Sequence, residues 1–169
     1  MTIIRLERPD DSSQIRRVNE LAFGQPAEAD IVDNLRRVCA ESLSLVAEED
    51  DAAIVGHILF TPVVVEGLPP GMGLAPMAVR PDRQRQGIGS QLVRRGLQIL
   101  REQGCPFVVV VGHPEYYPRF GFEPASKHGF LSQWEGMADA VFMVLVLDEH
   151  GMAGASGVAR YRDEFNEVT

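Results

Sequence analysis

The feature that most constrains the fold lies between residues 74 and 102. An apolar run, Leu74 to Val79, is followed by a polar turn over residues 80–90 and then by an amphipathic segment. The turn carries two glycines, Gly87 and Gly89, two positions apart. Glycine lets the backbone approach a ligand closely, and the first turn of a helix has N–H groups without intrahelical partners. The sequence therefore predicts a strand, a turn that binds an anionic group such as a phosphate, and a helix.

The better-known phosphate loops need residues that this turn lacks. It has no Gly-Lys-Ser/Thr, so it is not a P-loop. A dinucleotide fingerprint needs a third glycine where this chain has Leu92. It also needs an acidic residue further along, and there the chain has the apolar run Phe107–Val111. What remains is the pattern Gln84-x-x-Gly87-x-Gly89 after a strand.

A second motif, Tyr-x-Arg-Phe-Gly-Phe, occupies residues 117–122. It stands inside the longer pattern Gly-x-Pro-x-Tyr-Tyr-x-Arg-Phe-Gly-Phe, which begins at Gly112. With these two motifs, the stretch from Leu74 to Phe122 resembles the GCN5-related N-acetyltransferase (GNAT) superfamily, and within it a bacterial branch of predicted acetyltransferases. The resemblance implies an enzyme that moves the acetyl group of acetyl-CoA to a primary amine by direct attack on the thioester.

The resemblance also implies where acetyl-CoA binds. Backbone N–H groups of the strand would align the pantetheine arm, and one of them would bond the thioester oxygen. The N–H groups of the turn would hold the pyrophosphate. Pro76, which has no N–H, suits a place where two neighbouring strands splay apart. The expected cofactor-binding residues are Met77, Ala78, Val79, Gln84, Arg85, Gln86, Gly87, Ile88, Gly89, Ser90 and Arg119.

Acetyl transfer needs a proton donor for the departing thiolate. Tyr117 holds the tyrosine position of the second motif, so the resemblance implies that it is the general acid. Tyr116 is the competing residue, and neighbours on a helix point about 100° apart, so we expect at most one of them to face the sulfur. The alternative role for Tyr117 is a core aromatic residue beside Phe120 and Phe122.

The general base is left open by the sequence. Some relatives carry a carboxylate on the strand before the phosphate turn, but Leu74–Val79 has none. His113 is the first candidate because the ordinary pKa of histidine suits proton acceptance near neutral pH. Glu115, His57, a water relay, or an amine that arrives neutral are the alternatives.

Periodicity along the rest of the chain predicts an α/β (α+β) fold. A mixed, mostly antiparallel sheet of about six to seven strands should carry helices on both faces. We expect one acetyltransferase domain over residues 1–147 and a tail over 148–169 that packs on it, after a flexible glycine-rich run at 151–157. The expected strands are Ile3–Arg8, Leu43–Ala47, Ile54–Val65, Leu74–Val79, Phe107–Val111 and Ala140–Leu147.

Two local features carry their own expectations. Pro62 lies within the long strand at 54–65, which predicts a bulge or an edge position because proline has no N–H for a ladder. Glu48–Asp51 is a run of four acidic residues, which predicts a hairpin tip that keeps its carboxylates in water.

Composition limits the cellular setting and the partners. The chain of 169 residues has a net charge of −8, which disfavours nucleic acid as a partner. Cys39 and Cys105 are too few for a disulfide framework or a zinc site, so we expect a reducing cytoplasm and no metal. The N-terminus has no apolar leader, and no run reaches membrane-spanning length, so we expect no membrane association. A homodimer is compatible with these features.

Charge also bears on the acceptor, which the resemblance leaves as a small-molecule amine, a peptide N-terminus or a lysine. The chain is acidic, but six of its 16 basic residues cluster around the turn and the helix after it. This distribution favours a cationic amine as acceptor, with Arg83 and Arg85 as phosphate neighbours. The six are Arg80, Arg83, Arg85, Arg94, Arg95 and Arg101.

Two other classes of function compete with the enzyme. An acetyl-CoA-binding regulatory or sensor module would keep the turn and lose turnover, and the presence of Tyr117 argues against it. A nucleotide-binding regulator is disfavoured by the missing P-loop lysine and by the acidic balance.

Overall fold

The structure is a computed structural model that describes residues 1–152 and 156–168. Part of the glycine-rich run expected to be flexible, residues 153–155, lies outside the described residues. The helices are α1 (Ser12–Phe23), α2 (Ala27–Val38) and α3 (Ile88–Glu102). The strands are β1 (Ile3–Leu6), β2 (Leu43–Glu48), β3 (Ile54–Val63), β4 (Gly71–Val79), β5 (Phe107–Val111), β6 (Glu123–Pro124), β7 (Phe130–Ser132), β8 (Phe142–Val146) and β9 (Gly157–Ala159).

Seven of these strands form one sheet in the order β1-β2-β3-β4-β5-β8-β6. The pairs β1–β2, β2–β3, β5–β8 and β6–β8 are antiparallel, and β4–β5 is parallel. The parallel pair is the one that requires a crossover, and α3 supplies it. These pairings confirm the expected mixed, mostly antiparallel sheet.

The chain divides into two compact units. The first holds Met1–Phe60, Pro76–Leu97 and the end of the chain from Asp163; the second holds Thr61–Ala75 and Gln98–Arg162. Strands β3 and β4 and helix α3 each run through both units.

In the first unit, neighbouring residues of β3 point to opposite faces, and each face carries a helix. A Cβ on Gly56 would lie 3.1 Å from both Ile88 and Leu92 of α3, so a larger side chain there would press on that helix. On the other face, His57 contacts Asn19 of α1. Helices on both faces of this part of the sheet were expected from the sequence.

His57 is fully buried and belongs to a chain of polar side chains. Asn19 Nδ2 donates to the carbonyl of Ile15 at 3.0 Å and lies 3.2 Å from His57 Nδ1, which makes Nδ1 an acceptor. Nε2 then carries the proton and donates to Ser44 Oγ at 2.9 Å, and Ser44 donates to Glu7 at 2.8 Å. A second proton would go to Nδ1, where it would face the N–H donor of Asn19. Burial also disfavours the charged ring and lowers the pKa of His57 to about 4.

In the second unit, β5 is the central strand. Its residues Val108, Val109 and Val110 pair with Met72, Gly73 and Leu74 of β4, and its other edge pairs with β8. Close packing on β4 requires glycine there: a Cβ on Gly71 would lie 2.4 Å from the ring of Phe107. Near the end of the chain, β9 pairs with β7 in parallel, and Tyr161 is buried against the ring of Trp134 at 4.9 Å.

The position of Pro62 matches its expected edge position in one respect only. β3 lies between β2 and β4, and the register shift in β2–β3 falls at Ala47 and Glu48, but Pro62 lies past the last residue that pairs with β2. Its missing N–H is tolerated because the β2 ladder ends at Phe60. The strand itself ends at Val63. The extent of the domain and the packing of the tail stay predictions.

The hairpin tip is also less solvated than its charge suggested. Glu48 bonds Arg5 at 2.5 Å, and Glu49 bonds Arg83 at 2.8 Å. Asp51 accepts the N–H of Ala53 within the hairpin at 3.1 Å. Asp50 and Asp51 are both exposed, as the sequence predicted, and Asp50 pairs with the terminal amine.

The buried histidine predicts how stability depends on pH. The pKa of His57 is about 4 in the folded chain and 6.5 in its ordinary state. The unfolded chain therefore takes up a proton first as pH falls, so this contribution is complete above pH 6.5 and is lost between pH 6.5 and 4. We expect about 3 kcal/mol of lost unfolding free energy across that window, measured by urea unfolding.

Two variants distinguish the contribution of His57 to the pH dependence of stability from the contributions of other ionisable groups. His57→Leu should be less stable at neutral pH but should show a much smaller slope between pH 6.5 and 4.5. Carboxylates such as Asp11, whose pKa is lowered by Arg5, act only below that range. His113→Gln, at an exposed position, should keep the wild-type slope. Equal slopes for wild type and His57→Leu would contradict the assignment.

Candidate active site

The turn between β4 and α3 is built from backbone conformations that expose its N–H groups. A 3-10 turn at Pro81–Arg83 is followed by Gln84 in an extended conformation, and α3 begins at Ile88. Arg85 and Gly87 have positive φ values of 64° and 84°. Residues 84–87 are exposed, whereas Ile88 at the start of α3 is buried and Gly89 and Ser90 are half-exposed. Left-handed residues of this kind gather successive N–H groups into a concave, anion-binding surface.

Gln84 closes this turn on the strand before it. Its side-chain amide donates to the carbonyl of Val79 at 3.0 Å. This bond takes one of the two amide hydrogens, and it fixes the entry of the turn at the end of β4. The glutamine of the first motif therefore has a structural role that the sequence did not indicate.

The strand side of the site shows alternating exposure. Pro76 and Ala78 are buried, whereas Met77 and Val79 are half-exposed on the opposite face. The parallel ladder with β5 ends at Leu74, two residues before Pro76. Pro76 therefore lies outside this ladder, and the splaying of the two strands stays a prediction.

Most of the arginines of the turn already have carboxylate partners. Arg80 binds Asp82 at 2.6 Å, and Arg83 binds both Asp82 at 3.1 Å and Glu49 at 2.8 Å. The guanidinium of Arg80 lowers the pKa of Asp82, which therefore stays charged. The side chain of Arg85 is exposed and makes no ion pair with any described residue.

In the second unit, Tyr117 begins a 3-10 helix that ends at Phe120. Its side chain is buried, with its ring perpendicular to that of Phe122 at 5.7 Å and to that of Tyr116 at 5.0 Å. Burial raises the pKa of the Tyr117 phenol, so the hydroxyl keeps its proton well above neutral pH. The geometry provides a fixed, protonated phenol.

Tyr116 and Arg119 form a pair on the outer side of the same turn. The guanidinium of Arg119 lies 4.4 Å from the centre of the Tyr116 ring, and its Nε donates to the Tyr116 carbonyl at 2.9 Å. Tyr116 is half-exposed, whereas Tyr117 is buried. The two tyrosines thus differ in environment, and which of them faces the sulfur stays a prediction.

The candidate bases differ sharply in accessibility. His113 and Glu115 are exposed, and the backbone carbonyl of His113 accepts the N–H groups of Tyr116 and Tyr117 at 3.1 and 3.3 Å. His57 is enclosed, and both of its ring nitrogens are engaged. Among the described residues, no group of three His, Cys, Asp or Glu side chains could hold a metal ion.

Comparison with known proteins places the chain in a family. A family model described as an acetyltransferase (GNAT) domain matches residues 3–125. An uncharacterized N-acetyltransferase of Escherichia coli K12, YhbS, is 37% identical over 97% of this chain and 98% of its own. The chain therefore belongs to the GNAT acetyltransferase family and is an acyltransferase.

Two solved structures resemble the whole chain. The E. coli YhbS structure in complex with CoA has a TM-score of 0.93 at 36% identity, covering 99% of this chain and 93% of the other. A GNAT-family acetyltransferase from Brucella melitensis, in complex with acetyl-CoA, has a TM-score of 0.80 at 38% identity, with 98% of each chain covered. The fold is therefore the GNAT fold.

The helices formed by residues 1–152 and 156–168 include none that is long and apolar enough to cross a membrane.

The packing of Tyr117 can be tested at the glycine beneath it. A Cβ on Gly112 would lie 2.3 Å from Cε2 of the Tyr117 ring, and Phe122 restricts any retreat. We expect Gly112→Ala to lower the unfolding free energy by about 1–3 kcal/mol, measured by urea unfolding. In a Tyr117→Ala background the ring is gone, so the same change should cost less than about 1 kcal/mol. An equal penalty in both backgrounds would show that this contact is not the cause.

Proposed function

We propose that this protein transfers the acetyl group of acetyl-CoA to a primary amine by direct attack on the thioester. The observation that carries the proposal is the exposed turn with left-handed Arg85 and Gly87 at the N-terminus of α3. It offers several backbone donors and a helix dipole to an anion, as a pyrophosphate requires. Family membership and the CoA and acetyl-CoA complexes of two relatives support this ligand.

The proposal assigns binding to the backbone and to a few side chains. The N–H groups from Arg85 to Ser90 would hold the pyrophosphate, with Arg85 and Arg119 available for its charge. The N–H groups from Met77 to Val79 would align the pantetheine arm and bond the thioester oxygen. Since such groups are fixed before reaction, they stabilise the developing negative charge without reorganisation.

The chemistry needs two proton movements. The neutral amine attacks the thioester carbon, a C–N bond forms, and the C–S bond breaks to release the thiolate of CoA. Tyr117 is proposed to give its phenolic proton to that thiolate, and a base takes the proton that the new nitrogen loses. The raised pKa of Tyr117 supports its role as an acid, because the phenol stays protonated until it is needed.

The base is proposed to be His113, with Glu115 or a water relay as alternatives. Both side chains are exposed, so either could exchange protons with solvent after turnover. His57 is a poor candidate because its ring is fully buried and both nitrogens are engaged. The acceptor is a small-molecule amine, a peptide N-terminus or a lysine. The free thiols Cys39 and Cys105 fit the cytoplasm as its location, and a homodimer stays a prediction.

The proposed activity is tested by release of free thiol from acetyl-CoA with a panel of primary amines. Amine-dependent thiol release supports transfer. Tight binding of acetyl-CoA with no release on any amine would favour the regulatory or sensor module instead.

The phosphate turn is tested at Gly87. Its φ of 84° is unfavourable for alanine, although a Cβ there would meet nothing within 4 Å. We expect Gly87→Ala to weaken CoA binding about 10-fold or more in calorimetry, because the turn would relax and its N–H groups would point elsewhere. Gly24→Ala is the matched control, since Gly24 is also exposed, has a φ of 70° and has no atom within 4 Å of the added Cβ. Unchanged affinity in a folded Gly87→Ala protein would remove the turn as the phosphate site.

The acid is tested at the two tyrosines. We expect Tyr117→Phe to lower kcat about 10-fold to 1000-fold with little change in CoA affinity, because only the donated proton is lost. Tyr116→Phe should be milder. In the wild type, kcat should not fall between pH 7 and 10, because the raised pKa keeps the phenol protonated there. A larger loss from Tyr116→Phe would transfer the role to Tyr116.

A further inference from the structure

The hairpin between β2 and β3 contacts the turn that is proposed to bind phosphate. Glu49 Oε2 accepts a hydrogen bond from Arg83 Nε at 2.8 Å, and the two residues are 34 positions apart in sequence. A backbone bond lies beside it, from the N–H of Arg80 to the carbonyl of Val55 at 2.8 Å. All of these residues belong to the first unit.

The hairpin is shaped so that Glu49 has a fixed position. Its N–H donates to the carbonyl of Ala53 at 2.9 Å, and its carbonyl accepts the N–H of Ala52 at the same distance. Ala52 has a positive φ of 65°, a conformation that is uncommon for alanine and that the tight turn imposes here. The side chain of Asp51 accepts a hydrogen bond from the N–H of Ala53, which adds a side-chain contact to the backbone bonds of the hairpin. The carboxylate of Glu49 is three-quarters buried, with 24% of its side chain exposed.

The guanidinium of Arg83 is held from two sides. Nε donates to Glu49, and Nη1 donates to Asp82 at 3.1 Å. Asp82 in turn accepts two hydrogen bonds from Arg80 at 2.6 and 3.1 Å. The 3-10 segment at the start of the turn is therefore tied to the hairpin by a run of alternating charges. Without Glu49, the hydrogen bonds of Arg83 to described residues would all be to Asp82, in its own segment.

We propose that Glu49 is a positioning residue for coenzyme binding: through Arg83 it holds the turn after β4 in the shape that presents its N–H groups. This inference rests on the proposed function. A turn that is already ordered loses less conformational entropy on binding, so the brace increases affinity without contacting the coenzyme. It should act on binding and leave the chemical step unchanged.

A simple electrostatic view predicts the opposite sign. Glu49 is a negative charge near a site for negative phosphates, so removing it would reduce repulsion and tighten binding. Loss of the brace would instead weaken binding. The direction of the change therefore distinguishes the two roles.

The experiment compares Glu49→Gln with Asp51→Asn at a fixed, moderate ionic strength. Asp51→Asn removes a charge from the same hairpin, and its Oδ1 can still accept the Ala53 N–H. We expect Glu49→Gln to raise the Kd for CoA and the KM for acetyl-CoA about 3- to 10-fold with unchanged kcat. Asp51→Asn should leave the Kd unchanged or slightly lower. Thermal unfolding of each variant confirms that affinity is measured on folded protein.

A double-mutant cycle with Arg83→Gln tests whether the pair acts as a unit. Once Arg83 is lost the brace is already broken, so adding Glu49→Gln should not weaken binding further. Equal or tighter CoA binding by Glu49→Gln alone would overturn the inference, as would fully additive losses in the cycle. A wild-type protein that binds no CoA would overturn the proposed function instead, so the two failures are distinguishable.

Discussion

The backbone N–H groups of the turn and of the first residues of α3 are the feature on which the rest of the proposed site depends. The first N–H groups of an α-helix have no intrahelical partner, and the side-chain amide of Gln84 fixes the turn before them by bonding the carbonyl of Val79. Arg85 and Gly87 adopt the left-handed conformation, which can gather successive N–H groups into an anion-binding surface. The first motif connects β4 to α3, so these two elements fix where the turn begins and where it ends. A loop of the same composition without them would bind an anion poorly, because it would have to be ordered on binding.

The face of β3 that carries α1 depends on a different kind of contact. A polar chain from Asn19 through His57 and Ser44 to Glu7 satisfies both nitrogens of the buried His57 ring, which would otherwise be costly in the core. Its direction is fixed, since the His57 ring accepts at Nδ1 and donates at Nε2, and the Ser44 hydroxyl accepts from His57 and donates to Glu7. The network therefore favours one arrangement of α1 on the sheet, and burial, which lowers the pKa of His57, keeps its ring neutral at neutral pH.

The sequence predicted the features that are local and missed those that depend on distant pairing. The strand-turn-helix unit follows from Gly87, Gly89 and the apolar run before them, and the different environments of Tyr116 and Tyr117 follow from their spacing. The bond between Glu49 and Arg83 has no local signal, because nothing in a run of acidic residues shows which one meets an arginine 34 positions away. The place of Pro62 depends on distant pairing too, because the ladder that it could have interrupted ends at Phe60. The site assignments themselves stay predictions.

Burial of the proposed acid raises a question of proton affinity that bears on the mechanism. Desolvation raises the pKa of the Tyr117 phenol, which makes it a weaker donor than a tyrosine in water. The same desolvation would raise the proton affinity of a thiolate formed beside it, because a dry site disfavours every isolated anion. Proton transfer between two groups in one environment depends on the difference between their affinities, and that difference changes less than either value. A buried tyrosine can therefore keep its proton in the resting enzyme and still give it up when the thiolate forms.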